Sequence, residues 1–130
     1  MAINSVITGT GSYIPTIVKR NSDFLTNQFL NEDGTPFGYE NEVVIEKFKS
    51  ITGIKERRYA RPELNSSDLA FFAAEKAIAD AKINQEELDY IIVANNFGDV
   101  NSASNQSDIL TSLASRVKNK LGIKNPNCVA

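Results

Sequence analysis

Leu88-Asp89-Tyr90-Ile91-Ile92-Val93-Ala94-Asn95-Asn96-Phe97-Gly98-Asp99 is the stretch whose reading decides the fold. Its continuous apolar run, Tyr90 to Ala94, is short and rich in β-branched residues, so it predicts a strand covered on both faces, as in a parallel sheet between helix layers. A strand of that kind needs neighbours, and the same pattern begins at Ile3 to Thr8 and again at Cys128 to Ala130. Just upstream, Asn65-Ser66-Ser67-Asp68 supplies capping side chains and a first-turn acid for a helix running to Lys82. That helix is rich in alanine, and its charges Glu75, Lys76, Asp80 and Lys82 occupy about half its circumference, leaving a small-residue face for close packing on a sheet. Glu86 and Glu87 then form a polar connection, and helix followed by strand is the αβ half of a right-handed crossover. Downstream, Ser107 to Leu121 predicts another helix, with a stripe of Leu110, Leu113, Ala114, Val117 and Leu121 and with Gly122 as its C′ residue. The pattern is a layered α/β domain with at least two crossovers.

Composition narrows the function classes. At 130 residues the chain is one domain or part of one, and a chain of this length buries roughly two thirds of its unfolded surface. Its net charge of -2, with both signs mixed along the chain, gives no nucleic-acid or anionic-membrane surface. The N-terminus lacks the features of a signal peptide and no apolar run approaches the ~20 residues of a membrane span, so a cytoplasmic location is expected. One cysteine allows no internal disulfide. The complete lack of histidine removes the commonest general base and metal ligand.

Toward the N-terminus, Gly9-Thr10-Gly11 is followed by Pro15, which blocks the helix a dinucleotide fingerprint would need; glycines that avoid a backbone clash are the better reading. Asn21-Ser22-Asp23 is expected to cap a short helix carrying Phe24, Leu25 and Phe29. Asp33-Gly34-Thr35-Pro36 is turn chemistry, and Asn41 is expected to cap a helix with Val44, Phe48 and Ile51 on one face, ended by Gly53. Lys55, Arg57, Arg58 and Arg61 form either a phosphate site or the solvated face of a strand offset by Glu56 and Glu63, the second being favoured.

Polar residues at the carboxyl end of a parallel strand occupy the usual ligand position of an open α/β sheet, which makes Asn95, Asn96 and Asp99 positional candidates. They also have the chemistry to satisfy loop backbone groups, and the two readings stand side by side. Cys128 lies inside an apolar strand with neither a histidine nor a helix N-terminus to stabilise a thiolate, so a structural role is the better reading.

Several segments together resemble the thiolase superfamily and, within it, 3-oxoacyl-(acyl-carrier-protein) synthase III. They are Ile7-Thr8-Gly9-Thr10-Gly11-Ser12-Tyr13-Ile14-Pro15, Thr52-Gly53-Ile54-Lys55-Glu56-Arg57-Arg58, Ser66-Ser67-Asp68-Leu69-Ala70, Leu88 to Ala94, and Leu121-Gly122-Ile123. Asn27 to Asn41 and the loop after Ala94 read as insertions.

The resemblance implies a five-layer αβαβα fold, residues 1–130 being an incomplete N-terminal domain that ends on the strand before the nucleophilic cysteine. It implies an acyltransferase that condenses an acyl thioester, carried on acyl carrier protein or coenzyme A, with malonyl-acyl carrier protein, as in fatty-acid biosynthesis. The implied assembly is a homodimer, with no cofactor, metal, nucleic acid or membrane. The catalytic cysteine is expected just beyond Ala130, and the histidine and asparagine in the second half, so this chain would be inactive alone.

By matching, Asn96 falls beside the acyl chain, Leu110 where a side chain crosses the two-fold to close the partner's pocket, and Thr52 near the pantetheine entrance. Lys47 and Ile51 occupy the positions of the tryptophan and arginine that clamp adenine; lysine still pairs with phosphate, but isoleucine cannot replace a stacked guanidinium. Thr111 stands where relatives commonly have proline. Two other readings remain: a non-catalytic thiolase-like module that dimerises or joins a catalytic partner, and a hydroxymethylglutaryl-coenzyme A synthase-type enzyme.

Overall fold

The computed structural model describes residues 4–100, 103, 104 and 106–130. The chain forms two compact units, Met1–Ile14 with Pro62–Ala130 and, separately, Pro15–Arg61.

In the first unit, α2 (Ser66–Ala81) starts at Asn65, whose backbone N–H is accepted by the Asp68 carboxylate at 2.8 Å, and ends on Lys82 in the left-handed region. The capping reading of this helix therefore holds. It packs on α3 (Leu113–Leu121), which buries Leu113, Ala114 and Val117 and closes on Gly122 at φ 71°. Burial of these side chains with Ile123 and Cys128 makes the apolar core of the unit.

The strand expected at Tyr90 to Ala94 is reduced to a single parallel bridge, Tyr90 to Val129 of the C-terminal segment, with extended strands absent on both sides among the described residues. Ile91 N–H donates to the Val129 carbonyl at 2.9 Å and Val129 N–H to the Asp89 carbonyl at 2.8 Å. With α3 between them, the two segments form a βαβ crossover. Only one face of the strand is covered: Ile91 and Val93 are half-buried, whereas Tyr90 and Ile92 are 67% and 89% exposed. The expectation of cover on both faces is corrected, because α2 and α3 are the only α-helices of this unit among the described residues and leave the other face bare.

Two further expectations for this unit are corrected. Ile3 lies outside the described residues, and Asn4 to Thr8 joins no ladder, with Val6 and Ile7 exposed; a strand requires a partner for its backbone groups, and this segment instead leads into close contact with α2. A Cβ on Gly9 would lie 2.5 Å from Ala81 N and 2.6 Å from the Ala77 carbonyl oxygen, and one on Gly11 would enter the backbone of Ala73 and Ala77. The glycines and the alanines at every fourth position are thus two halves of one contact. Thr10 N–H to Asp80 (2.9 Å) and Lys76 Nζ to the Ser12 carbonyl (2.9 Å) hold it in place.

The helix expected from Ser107 begins only at Leu113, capped by Ser112, whose Oγ accepts from Ser115 N–H at 3.1 Å. Ser107–Asp108 is instead β4, paired antiparallel with β3, Asp99–Val100. Cross-strand pairing and the Ser112 cap outweigh the apolar spacing that placed Leu110 on a helix stripe.

In the second unit, β1 (Ile17–Arg20) and β2 (Glu56–Tyr59) form an antiparallel pair, of which β1 carried no distinctive sequence signal. The helix expected after Asn21 is only a 3₁₀ turn, Asn21–Phe24, with Arg20 as its N-cap, whose N–H donates to the Asp23 carboxylate inside the turn at 2.9 Å. Asn21 faces elsewhere, donating to the Ile54 carbonyl at 2.9 Å. α1 (Asn41–Thr52) follows Glu40 as its N-cap, not Asn41, whose amide donates to the Leu25 and Asn27 carbonyls at 2.6 and 2.8 Å. Gly53 ends it at φ 69°, as expected. Residues 31–35 close a turn on themselves, with Asp33 accepting from both the backbone and hydroxyl of Thr35.

Candidate functional site

The polar positions after the Tyr90 strand are built into structure to different degrees. Asn95 Oδ1 accepts from Gly98 N–H, three residues on, at 2.8 Å, satisfying a loop backbone group; Gly98 lies at φ 72°. Asn96 is exposed. Asp99, 4% exposed, accepts from Ser67 N–H at 2.8 Å and Ser67 Oγ at 2.7 Å, placing its charge at the N-terminus of α2, where the helix dipole favours it. Arg116 Nη1 completes the set at 3.1 Å.

Arg116 gathers more than Asp99. Its Nη2 reaches Asp108 at 2.7 Å and the Leu110 carbonyl, and its Nε reaches the Thr111 carbonyl at 3.2 Å. The guanidinium hydrogen bond and charge hold the Asp108 carboxyl below its ordinary pKa, and the two carboxylates raise that of Arg116. Nearby, burial pushes the Asp68 carboxyl up, but the Lys120 hydrogen bond at 2.7 Å, the Asn65 N–H and the Lys120 charge outweigh it, and the net shift is downward. A hollow of about 260 Å³ opens at the strand's carboxyl end between Val93, Asn95, Asp108, Ile109, Ser112 and Leu113.

Of the four residues singled out by sequence, Asn96 and Leu110 lie in this unit, on either side of the β3–β4 pair, and Leu110 is 83% exposed. Thr52 and Lys47 lie in the other unit. The Thr52 hydroxyl donates to the Phe48 carbonyl at 2.7 Å and accepts from Ile54 N–H at 3.2 Å, fastening the end of α1 to the chain that leaves it. Lys47 is exposed beside Glu42, Val43, Glu46 and Ser50.

The basic cluster is dispersed along β2. Arg58 pairs with Glu56 at 3.0 Å, and Arg57 lies over the Phe24 ring at 5.9 Å with Asn21 Oδ1 at 3.4 Å. Asn21, Phe24, Phe29, Ile45, Phe48, Arg57 and Tyr59 enclose an apolar hollow of about 220 Å³.

Cys128 is 2% exposed; its N–H donates to the Asn125 carbonyl and its own carbonyl accepts from Lys118 Nζ at 2.6 Å. That is a side chain packed into the core under a strand, as the structural reading expects. Among the described residues, no cluster of His, Cys, Asp and Glu has the arrangement of a metal site, and no helix is long and apolar enough to cross a membrane.

Sequence reasoning missed Ser67 and Arg116: Ser67 stands among the capping residues of Asn65 to Asp68, and Arg116 carries no local signal. Their link to Asp99 spans 32 and 17 residues, which no local periodicity encodes.

A parallel bridge joining the segments on either side of α3, an alanine-rich helix under a glycine-containing segment, and a carboxylate-capped helix start define a layered α/β fold. The comparisons place it more closely. No family model matches the chain. In sequence it is 38% identical over 120 residues to beta-ketoacyl-[acyl-carrier-protein] synthase III 1 of Vibrio parahaemolyticus, over 92% of this chain and 31% of that protein. In structure it is similar to 3-oxoacyl-[acyl-carrier-protein] synthase III from Aquifex aeolicus, with a TM-score of 0.65 and 29% identity over 95% of this chain and 34% of that one. The Thermus thermophilus synthase III gives a TM-score of 0.66 and 27% identity, over 97% of this chain and 32% of that one. The chain thus resembles synthase III and spans about a third of the length of these relatives.

Proposed function

We propose that the chain is the N-terminal part of a synthase III-like condensing acyltransferase, joining an acyl thioester to malonyl-acyl carrier protein, and that it is inactive by itself. The observation that carries this is the 38% identity to a synthase III across 92% of the chain. The parallel pairing of Val129 with the Tyr90 strand supports it, since the C-terminal segment then enters the sheet in the direction that would deliver a following cysteine to the strand's carboxyl end.

In the reaction proposed, a cysteine thiolate beyond Ala130 attacks the acyl thioester and releases the donor thiol. Malonyl-carrier protein then loses carbon dioxide, and its carbanion attacks the enzyme-bound acyl group, freeing the cysteine. Residues of this chain would form walls rather than react: Asn96 beside the acyl chain, Leu110 across the two-fold of a homodimer, and Thr52 at the pantetheine entrance. Lys47 would pair with a phosphate of the donor, and Ile51 in place of an arginine favours a carrier-protein donor over coenzyme A. Asn27 to Asn41 would be an insertion in this domain, and the setting cytoplasmic.

The test is decarboxylative condensation of acyl thioesters with malonyl-carrier protein. The full-length gene product is expected to turn over and the 130-residue chain is not. Turnover by the chain alone contradicts the proposal. A full-length product that dimerises but never condenses would point to a partner module.

A further inference from the structure

We propose that Arg116 is the positioning residue for Leu110, and through it a determinant of which acyl chains the condensing site accepts. The clamp is read directly from the geometry, whereas its consequence for selectivity rests on the functional reading of Leu110 above. A guanidinium carries five N–H donors in a fixed fork, and Arg116 spreads them over four acceptors: Asp99 at 3.1 Å, Asp108 at 2.7 Å, the Thr111 carbonyl at 3.2 Å and the Leu110 carbonyl.

Two of these acceptors lie on facing strands, Asp99 on β3 and Asp108 on β4, and the other two flank the peptide that follows. Asp99 is itself fastened to Ser67 on α2, and Arg116 stands on α3, so both helices hold the segment at one point. Within this chain the Leu110 side chain is 83% exposed, and its backbone is held by polar bonds instead: its carbonyl accepts from Arg116, and its N–H reaches the Asp108 carboxylate that Arg116 pairs with. Lysine keeps the charge but, as a compact ammonium, cannot span these acceptors.

The experiment has two arms. In the 130-residue chain, backbone ¹⁵N relaxation is measured for wild type, Arg116→Lys, Arg116→Ala and Asp108→Asn; the last removes a charge from an exposed residue and preserves the buried Asp99 bonds. Wild-type order parameters at Ile109, Leu110 and Thr111 are expected near ~0.85, falling below ~0.6 in both Arg116 variants and part of the way in Asp108→Asn. Values in Arg116→Ala equal to wild type, or wild-type values already below ~0.6, overturn the clamp whether or not the protein is a condensing enzyme.

In the full-length protein, Arg116→Lys is expected to change the ratio of kcat/KM between a short and a long acyl thioester by about tenfold, with the KM for malonyl-carrier protein unchanged. A loosened segment with an unchanged ratio overturns the selectivity role. Absence of condensation by the wild-type full-length protein is instead the failure of the functional reading, and the relaxation arm still decides the clamp.

Discussion

The unit built on α2 and α3 and the unit built on the β1–β2 pair are stabilised in different ways. In the first, buried or half-buried polar bonds join residues far apart in sequence: Asp99 to Ser67, Gln85 to the Leu121 carbonyl at 2.8 Å, and Glu86 to the Asn125 N–H at 2.7 Å. Backbone meets backbone at Gly9 and Gly11, with no space for a side chain. In the second, Val44 is the one buried side chain among the described residues and aromatic rings surround a hollow, Phe29 and Phe48 standing 6.5 Å apart. Interiors so closely fitted tolerate neither added atoms nor lost partners, whereas an open aromatic cluster adjusts to both. The difference teaches where a substitution will be felt.

The largest effect is expected from Asp99→Ala, which leaves Arg116 and Ser67 without their common partner; a loss of about 3 kcal/mol in urea unfolding is the expected outcome. Gly11→Ala should cost about 2 kcal/mol or more by overpacking against Ala73 and Ala77. Gly38→Ala, where an added Cβ meets nothing within 4 Å, should change stability by under about 0.5 kcal/mol in the same assay. Equal effects from these two glycines would erase the contrast between the units. Phe48→Ala, truncating a ring that is 52% exposed, is expected to cost about 1 kcal/mol, read as a shift of the urea midpoint.

The smallest effect carries a pH signature. Because the folded pKa of Asp68 is lowered from 3.8, its contribution is present above that value and is lost as pH falls through the folded pKa. Asp68→Asn should therefore be less stable than wild type by on the order of 0.5 kcal/mol at pH 7, and the difference should shrink as pH falls through the folded pKa. A difference that does not shrink in acid would mean that the Asp68 charge is not its source.

Elements with short-range punctuation were legible in the sequence: Asn65 to Asp68 starting α2, Gly53 and Gly122 ending α1 and α3, and Asp33-Gly34 turning the chain. Features set by partners distant in sequence were not. Ser107 to Leu110 has helix-compatible spacing, but pairing with Asp99–Val100 takes its first two residues into a strand. Asn21 and Asn41 looked like caps, yet each spends its side chain on carbonyls elsewhere in its unit, while Arg20 and Glu40 stand at the N-cap positions. At the candidate site, Asp99 was visible as a polar residue after a strand; its Ser67 and Arg116 partners, which turn it from a ligand candidate into an anchor, appear only once the chain has folded.

The central claim is that this chain supplies scaffold and pocket wall, and not the acyl-accepting thiol. Intact-mass spectrometry after incubation with a reactive acyl thioester tests it most directly. The 130-residue chain should gain no acyl mass on Cys128, whose side chain is buried, while the full-length gene product should gain one acyl group on a later cysteine. Stoichiometric acylation of Cys128 would contradict the account.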